Sequence, residues 1–553
     1  MAVVLRLLSG LLLLLVTLGA PPLQARESPG DVSAGSATPQ RPRHRRRHHP
    51  VLVPDAGVED VKGPPAPGPP SAVPGVLPAP DDAGVPEPPP ANAPPRALVR
   101  TAATGKYDDL EQRFFGGGDG GIPAEATSAP AATQTPPAGP VAEDLLRMGG
   151  LLYQEVNAQN DGRTSAGESA LSLPTLAEVY LDGRPTDRIR GYVRARLFYD
   201  AVGSRAAPGV TLDTQGRLSQ ASATPHAELD QLWVKFDVAR TVFVTAGLQH
   251  VKWGTGRFWN PTDFLASALK DPLATLDART GTTLLKLHLP WEAKGWNAYA
   301  IALFDVTDRA RTLSRVGGAV RAEVTLGTAE LGLSAVAQRG RHPRLGADFS
   351  CGLGIFDVYA DVALRTELDT PVYQHVPGAS PTAPLASQYQ SVLPAKPIIQ
   401  AAGGILHDLP LFGEGTLSFE LEYFYNSAGY TDPAIYGYLA SVGALRTFYT
   451  GKHYAGALLA LQPPKPLQSF GLASATVANF SDLTFVERLD LSWTLGHGLT
   501  LSAYGAYHFG RPGGELRLFL DVPAQPQPDG TLSEPLQLRS PQVEAGLSVS
   551  LSI

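Results

Sequence analysis

The chain has 553 residues, 43% of them hydrophobic, and a formal net charge of −7. This acidic balance gives no reason to expect a nucleic-acid partner. The single cysteine, Cys351, excludes an intramolecular disulfide and a metal site built on several thiolates. Beyond the N-terminal segment, no stretch reaches the ~18 consecutive apolar residues of a membrane-spanning helix, so helical membrane insertion is excluded.

The first 25 residues have the pattern of a secretory signal peptide. Arg6 precedes an apolar run, and Ala25 supplies the small residue before a cleavage site at Arg26. A retained membrane anchor is the alternative, but the run is shorter than the ~20 residues that a spanning helix needs. The sequence therefore predicts an exported protein whose residues 1–25 are removed.

Residues 26–145 are rich in proline and lack apolar periodicity. Such a segment cannot bury enough apolar surface to offset the entropy lost on ordering, and its prolines favour extended conformations. We therefore expect a disordered periplasmic segment. A simple diffusion pore does not need such an arm, so a periplasmic protein or the cell wall is its expected partner.

The N-terminal segment contains one strongly basic run, residues 41–50, with the sequence RPRHRRRHHP. Its arginines suit an anionic partner, such as lipopolysaccharide phosphates or a wall polymer. Its histidines, His44, His48 and His49, suit a transition metal. A solvated charge run within a linker is the third interpretation, and the sequence leaves all three open.

From residue 146 to residue 553 the sequence alternates between apolar and polar residues. In residues 188–199 one face carries Arg188, Arg190, Arg194 and Arg196, and the opposite face is apolar. This period of two is typical of a β-strand with one face toward lipid and one toward water. Similar alternation occurs in residues 231–238, 320–326 and 417–423.

The number of these segments predicts an all-β fold. About 16 of them, within a range of 14 to 18, have the ~9–11 residues that a tilted strand needs to cross a bilayer. A soluble sandwich of so many strands would have sheet edges to protect, whereas a closed barrel has none. Residues 146–553 are therefore predicted to form a transmembrane antiparallel β-barrel in the outer membrane, in contact with lipid and lipopolysaccharide.

The end of the chain supports this prediction. Counting back by twos from Ile553 gives Leu551, Val549, Leu547 and Ala545, which are all apolar. This pattern resembles the C-terminal strand by which outer-membrane barrels are recognised by their assembly machinery. The usual terminal residue of that strand is aromatic, and Ile553 departs from it.

One connection within the alternating region is long, and it begins with the sequence GLQHVKWGTGRFWNPTDF at residues 247–264. Connections of that length are uncommon unless they have a function. The stretch resembles bacterial porin-like outer-membrane barrels, in which a loop rich in glycine and tryptophan with an Asn-Pro-x-Asp turn follows an early strand. The resemblance implies a passive or substrate-selective channel and does not identify the solute.

A loop of this kind is expected to fold into the barrel lumen and narrow it. Lys252, Arg257 and Asp263 would then set the local electric field, and Trp253 and Trp259 would offer stacking surfaces. The alternative is that these aromatic side chains pack the loop against the barrel wall. The sequence does not distinguish the two arrangements.

The four arginines of residues 188–196 would attract anions if they faced the lumen. Acidic residues on the polar faces of other strands would cancel that attraction if they paired with the arginines across the lumen. The acidic candidates are Asp357, Asp361, Glu420 and Glu422. Such pairing is the expected outcome.

The sequence predicts a porin-like channel for small polar or anionic solutes. The alternative is a plugged or export-type barrel, a scaffold or component of a polysaccharide or motility complex that binds periplasmic partners through its arm. An enzyme is not expected, because the sequence lacks the G-x-S-x-G, H-E-x-x-H and glycine-rich phosphate motifs. No cofactor or metal is expected either.

Overall fold

The computed structural model describes residues 145–163, 165, 169–202, 225–277, 279–304, 316–366, 371–380, 383–394, 396–496, 498–522 and 536–553. The predicted signal peptide and all of the predicted proline-rich segment except Leu145 lie outside these residues. The basic run at 41–50 lies outside them as well.

The described chain is built almost entirely of strands, with two short helices and four single 3-10 turns. The strands are β1 (Leu146–Asn160), β2 (Ala170–Ser172), β3 (Pro174–Thr186), β4 (Ile189–Asp200), β5 (His226–Val238), β6 (Val242–Gln249), β7 (Thr282–Trp291), β8 (Trp296–Phe304), β9 (Val316–Leu326), β10 (Ala329–Gln338), β11 (Arg341–Leu353), β12 (Phe356–Arg365), β13 (Val372–His375), β14 (Tyr389–Val392), β15 (Ile398–Pro410), β16 (Thr416–Asn426), β17 (His453–Gln462), β18 (Phe470–Asn479), β19 (Thr484–Thr494), β20 (Leu499–Gly510), β21 (Phe519–Val522), β22 (Leu536–Arg539) and β23 (Val543–Ser552). The helices are α1 (Leu385–Gln388) and α2 (Tyr436–Ser441), and the 3-10 turns are Glu292–Lys294, Phe412–Glu414, Pro433–Ile435 and Glu515–Arg517.

The strands form a closed antiparallel barrel. One 19-stranded sheet consists of 18 barrel strands and the short β2, which pairs with β1. Each barrel strand pairs with the next one along the chain, and β23 returns to pair with β1 from Ser552 opposite Leu151 to Val543 opposite Asn160. The remaining described strands form two small hairpins, β13–β14 and β21–β22, outside the barrel sheet.

The predicted antiparallel β-barrel is confirmed, and its 18 strands lie at the upper limit of the predicted range of 14 to 18, two more than the central value of about 16. Some barrel strands have little contrast in polarity between their faces. In β18, for example, the fully buried inward residues Ala473 and Ala475 are as apolar as an outward residue would be. Alternation of polarity therefore does not identify such a strand, although closure of the ring requires it.

The faces of the alternating strands are as predicted. In β16 the inward residues Ser418, Glu420 and Glu422 are buried, while Phe419 and Leu421 are exposed on the outer surface. The outer surface is apolar because lipid surrounds it, and polar residues are collected inside. Within the described residues no helix has the length and apolarity to span a membrane.

The two ends of the barrel differ in the length of their connections. At one end the turns are short, as at residues 327–328 and 354–355, and we call this the short-turn end. At the other, the long-loop end, residues 250–281, 366–397 and 511–542 connect neighbouring barrel strands. The turn between β5 and β6 contains Ala239 and Arg240, which both have a positive φ.

Aromatic side chains lie at the ends of strands, where they would meet the membrane interface. Trp291 and Trp296 flank the turn at residues 292–295, with their ring centroids 5.7 Å apart. The Lys294 ammonium lies within 4.9 Å of both rings. Amphipathic aromatic rings of this kind are enriched at the level of the lipid headgroups.

A charge placed on the outer face should destabilise the barrel according to its depth in the bilayer. Leu333→Arg, at the middle of β10, should lower the free energy of unfolding by about 2–4 kcal/mol. The matched control Leu326→Arg, at the end of β9, should lower it by only about 0–1 kcal/mol. Urea titration in lipid vesicles measures both, and equal losses would contradict the proposed outer surface.

Candidate functional site in the barrel lumen

The connection between β6 and β7, residues 250–281, folds into the barrel, and we call it the inserted loop. Its side chains Trp253, Phe258, Trp259 and Phe264 are at most 5% exposed. They pack against inward-facing residues of β7–β10, β12 and β15–β20. A loop that leaves the wall at β6 therefore reaches strands on the far side of the barrel.

A glutamate on the barrel wall holds the middle of the inserted loop. The Glu422 carboxylate accepts hydrogen bonds from the backbone N–H groups of Arg257 (2.8 Å), Phe258 (3.2 Å) and Trp259 (2.8 Å). The hydroxyl of Tyr359 donates to both Glu422 (2.8 Å) and Glu420 (2.6 Å). Hydrogen bonds to a charged acceptor are stronger than neutral ones, so Glu422 fixes this part of the loop.

An aspartate on β12 holds the preceding residues of the inserted loop. The Asp361 carboxylate accepts from the backbone N–H and hydroxyl of Thr255 and from the N–H of Gly256. Gly254 has φ +87°, and a Cβ there would lie 2.5 Å from Asp361 Oδ2. Glycine is therefore required at this position for the backbone to reach the carboxylate.

The aromatic side chains of the inserted loop pack against the wall. Trp259 stacks on Phe424 with ring centroids 5.5 Å apart, and its Nε1 donates to the Phe448 carbonyl at 2.9 Å. Trp253 is 4% exposed, and the Arg321 guanidinium lies 5.7 Å from its ring. Of the two predicted arrangements, the structure places both tryptophans in the one where they anchor the loop, because little of either ring remains open to a solute.

The charged residues predicted in the inserted loop differ in their exposure and in the charged groups beside them. Lys252 is exposed, and Arg257 Nε lies 3.8 Å from Glu420 Oε1. Asp263 Oδ2 lies 3.2 Å from Arg279 Nη1, and Asp277 lies 2.6 Å from Arg279 Nη2. The loop therefore carries much of its charge as compensated pairs.

Burial and the Arg279 guanidinium act in opposite directions on the two aspartates of the loop. Burial raises the pKa of Asp263 despite the opposing charge of Arg279. Burial also tends to raise the pKa of Asp277, but attraction to Arg279 and its hydrogen bonds outweigh it and lower the pKa to about 2. The Asp277 pair with Arg279 thus stays ionised above pH ~2.

The four arginines predicted on one face of residues 188–196, which we call the arginine ladder, lie on β4 and in the turn before it. Each of them is paired with a carboxylate. Arg188, in the exposed turn, donates to Asp237 of β5 at 2.8 Å. Arg190 faces inward and forms a bidentate pair with Asp182 of β3, with both distances 2.8 Å. The partner carboxylates lie on adjacent strands, because side chains on neighbouring strands are closer together than side chains on opposite sides of the lumen.

The two remaining ladder arginines are buried around Asp230. The register between β4 and β5 shifts at Arg194, so that Asp230 is an extra residue and turns inward. Arg194 Nε lies 2.5 Å and Arg196 Nη1 lies 3.3 Å from the Asp230 carboxylate, and Arg196 Nε lies 2.9 Å from Glu178. Cancellation of the ladder charge was expected, but its partners are Asp182, Asp230, Asp237 and Glu178 and not the four predicted cross-lumen carboxylates.

Sequence reasoning did not assign the wall residues that hold the inserted loop. Asp361 and Glu422 were identified as acidic residues on polar faces, but their role as acceptors for loop N–H groups depends on the loop's path. No sequence signal marks Asp230, because a β-bulge is set by local register. Alternation alone identifies an inward carboxylate and not its partner.

A cavity of about 1300 Å³ lies between the inserted loop and the short-turn end. Its walls are formed by β1, β3, β4, β18, β19, β20 and β23, and loop residues 275–277 form one boundary. Five arginines and four carboxylates line it, together with serine, threonine and glutamine side chains. Among the described residues no group of three or more histidine, cysteine, aspartate or glutamate side chains is placed to hold a metal ion.

A second group of buried polar side chains lies at the long-loop end. The Glu515 carboxyl accepts from the Tyr454 hydroxyl at 2.5 Å and from Asn479 Nδ2 at 2.6 Å. The Glu515 backbone N–H donates to Asp482 Oδ2 at 2.7 Å. Burial, opposed by the hydrogen bond from Tyr454 and supported by the charge of Asp482, raises the pKa of Glu515 to about 8.

Removing the carboxylate that holds the inserted loop should free the loop backbone. Glu422→Ala leaves three buried N–H groups without an acceptor, so the amides of residues 257–259 should exchange at least about tenfold faster. Hydrogen exchange measures this, with Glu414→Ala as control because that side chain is 76% exposed at the short-turn end. Unchanged protection in Glu422→Ala would show that the aromatic packing alone holds the loop.

The segment around Glu515 should become less stable as the pH rises. A carboxyl group whose pKa is raised by folding stabilises the folded form fully below its unfolded pKa of ~4.3, and this stabilisation is lost as pH rises through about 8. After correction for intrinsic rates, amides of residues 515–517 should lose protection between pH 5 and 9. Glu515→Gln should flatten this pH dependence, whereas the control Glu292→Gln, in a short turn, should leave it unchanged. Equal slopes in the wild type and both variants would contradict the prediction.

No protein-family model and no curated protein matches this chain. Solved structures with a similar fold include OccAB1 of Acinetobacter baumannii. It has 9% sequence identity and a TM-score of 0.43, and the match covers 74% of this chain and 96% of that one. OccK2 (OpdF) of Pseudomonas aeruginosa gives 10% identity and TM-score 0.42, covering 74% and 97%. A Rhodopseudomonas blastica porin mutant gives 8% identity and TM-score 0.35, covering 74% and 100%.

The fold of this chain is classified from the way its strands pair. Its 18 strands close into a ring without an unpaired edge, with apolar residues outside and polar residues inside. A long loop is folded into the lumen. The chain therefore has the fold of a porin-like transmembrane β-barrel.

Proposed function

We propose that the barrel is a channel through which small polar solutes cross the outer membrane. The observation that supports it best is the polar cavity of about 1300 Å³ beside the inserted loop. Barrels of 16–18 strands have a diameter that leaves an aqueous channel unless side chains or loops fill it. Here the inserted loop fills part of the lumen, and the cavity remains along the wall formed by β1, β3, β4, β18, β19, β20 and β23.

The inserted loop would act as the constriction of this channel. Asp361 and Glu422 hold its first part on one side of the lumen. Arg196 and Arg488 of the opposite wall donate hydrogen bonds to its last part, so the space left open is the cavity on the short-turn side of the loop. A solute there would exchange hydration water for several weak hydrogen bonds with the wall. Conduction requires such weak, repeated binding, because tight binding at one site would stop release.

The paired state of the wall charges bears on ion selectivity. Arg190, Arg194 and Arg196 each have a carboxylate within hydrogen-bonding distance, so the charge of these three arginines is largely compensated. The attraction of anions that unpaired arginines at residues 188–196 would produce is therefore not expected in the proposed channel. Small polar solutes are favoured over anions.

The orientation of the channel follows from the lengths of its connections. Outer-membrane barrels place their short turns toward the periplasm and their longer loops toward the outside. With this orientation the cavity opens to the periplasm, where β1 also begins at Leu146. We propose that residues 26–145 lie there and bind a periplasmic protein or the cell wall.

Single-channel recording tests the proposed function directly. The full chain in a planar bilayer should give a steady current, and a potassium chloride gradient should give a reversal potential close to zero because the wall charges are paired. Glu422→Ala should raise or destabilise the conductance because the constriction loses its attachment. Glu414→Ala, in the exposed turn, should behave as the wild type.

Two results would count against the proposal. A barrel that conducts in neither the wild type nor Glu422→Ala would favour the plugged, export-type alternative. A strongly anion-selective current would show that the ladder arginines act as free charges despite their carboxylate partners.

A further inference from the structure

Three of the five arginines that line the cavity form pairs with a carboxylate, and such a pair can both donate and accept hydrogen bonds. The pairs are Arg190 with Asp182, Arg196 with Glu178 and Arg488 with Asp490. In the pair of Arg190 and Asp182, two parallel hydrogen bonds use Nε and Nη2 of the guanidinium. Asp182 Oδ2 also lies 3.7 Å from Arg184 Nε, so a second guanidinium stands beside this carboxylate.

Such pairs suit a hydroxyl group better than a free anion. A hydroxyl donates one hydrogen bond and accepts others, so adjacent hydroxyls of one ligand can bind the guanidinium and the carboxylate together. A free anion must compete with a carboxylate that is already held beside the guanidinium by the barrel. The remaining polar lining contains the charged residues Arg147, Arg184 and Asp277 together with neutral side chains that include Gln462, Gln468, Ser502 and Ser550.

A tyrosine side chain forms part of the wall of the same cavity. Tyr180 of β3 lies over Gly149 of β1, where a Cβ would come within 2.6 Å of Tyr180 Cζ. Only glycine leaves room for the ring in this position. Tyr180 lines the cavity and is partly exposed, so part of its side chain is accessible to a solute.

Two further rings hold Tyr180 in place. Tyr192 stacks on it with ring centroids 6.0 Å apart, and Trp233 stacks on Tyr192 at 5.4 Å. Tyr192 and Trp233 are 4% and 7% exposed, so they support Tyr180 and offer little surface of their own to a solute. Arg190 lies 5.8 Å from the Trp233 ring, which links the stack to the pair of Arg190 and Asp182.

We propose that this cavity is a binding site for neutral sugars, with Tyr180 stacking on the apolar face of a sugar ring and the Arg190–Asp182 pair binding its hydroxyls. This inference rests on the proposed channel and names its substrate class. An amphipathic ring and dense paired hydrogen-bonding groups match a ligand with an apolar face and a hydroxylated edge. At about 1300 Å³, the cavity exceeds the ~300–1,000 Å³ of ordinary small-molecule sites and accommodates an oligosaccharide.

The test measures sugar binding separately from current, with the full chain. Calorimetry in detergent should show binding of the neutral trisaccharide raffinose, and raffinose should reduce the single-channel current reversibly. Glucose and gluconate form a matched pair of probes, since they share hydroxyls and differ in charge. Glucose should bind at least as well as gluconate.

Variants identify the ring that carries the site. Tyr180→Ala should weaken raffinose binding by about tenfold, corresponding to a stacking contribution near the upper end of its usual range. Tyr180→Phe should retain binding because the ring remains. Tyr199→Ala, which removes a tyrosine from the outer face of β4, is the matched control and should bind as the wild type.

The possible outcomes separate this inference from the proposed channel. Raffinose binding that depends on Tyr180 without any current would support the sugar site and reject the channel. Current without raffinose binding would retain the channel and overturn the sugar site. Tighter binding of gluconate than of glucose, or equal binding by Tyr180→Ala and wild type, would also overturn it.

Discussion

The pairing of β1 with β23 is the interaction on which the rest of this structure depends. A bilayer core has no water to satisfy backbone N–H and C=O groups, so a sheet can cross it only when no edge is left open. The antiparallel ladder from Leu151 opposite Ser552 to Asn160 opposite Val543 removes the last two edges. Closure then divides every strand into a lipid face and a lumen face.

The closed ring determines how the lumen is filled. Eighteen strands enclose more space than their own side chains occupy, and the inserted loop takes up part of it. A loop inside a barrel needs partners for its backbone groups, and Asp361 and Glu422 supply them as charged acceptors. The charges elsewhere on the wall are balanced by neighbours, as in the pairs of Arg190 with Asp182 and Arg196 with Glu178.

Predictions from the sequence were most accurate for properties of a single strand, such as the face on which a side chain lies. Alternation placed Arg190, Arg194 and Arg196 on the inward face of β4, and the structure has them there. It underestimated the number of strands because small residues, such as Ala473 and Ala475 in β18, give both faces similar polarity. It recognised residues 250–281 as a special connection but left open whether Trp253 and Trp259 face a solute or the wall.

Residue order along the chain by itself determined the strand faces, the antiparallel barrel and the presence of one long loop, because a period of two is a local property of the backbone. Only the tertiary structure decided which groups meet. Asp230 reaches Arg194 through a bulge, Tyr180 lies over Gly149 of a strand 31 positions earlier, and Glu422 binds loop residues more than 160 positions away. Such contacts depend on strand register and on the path of the loop, which no local pattern records.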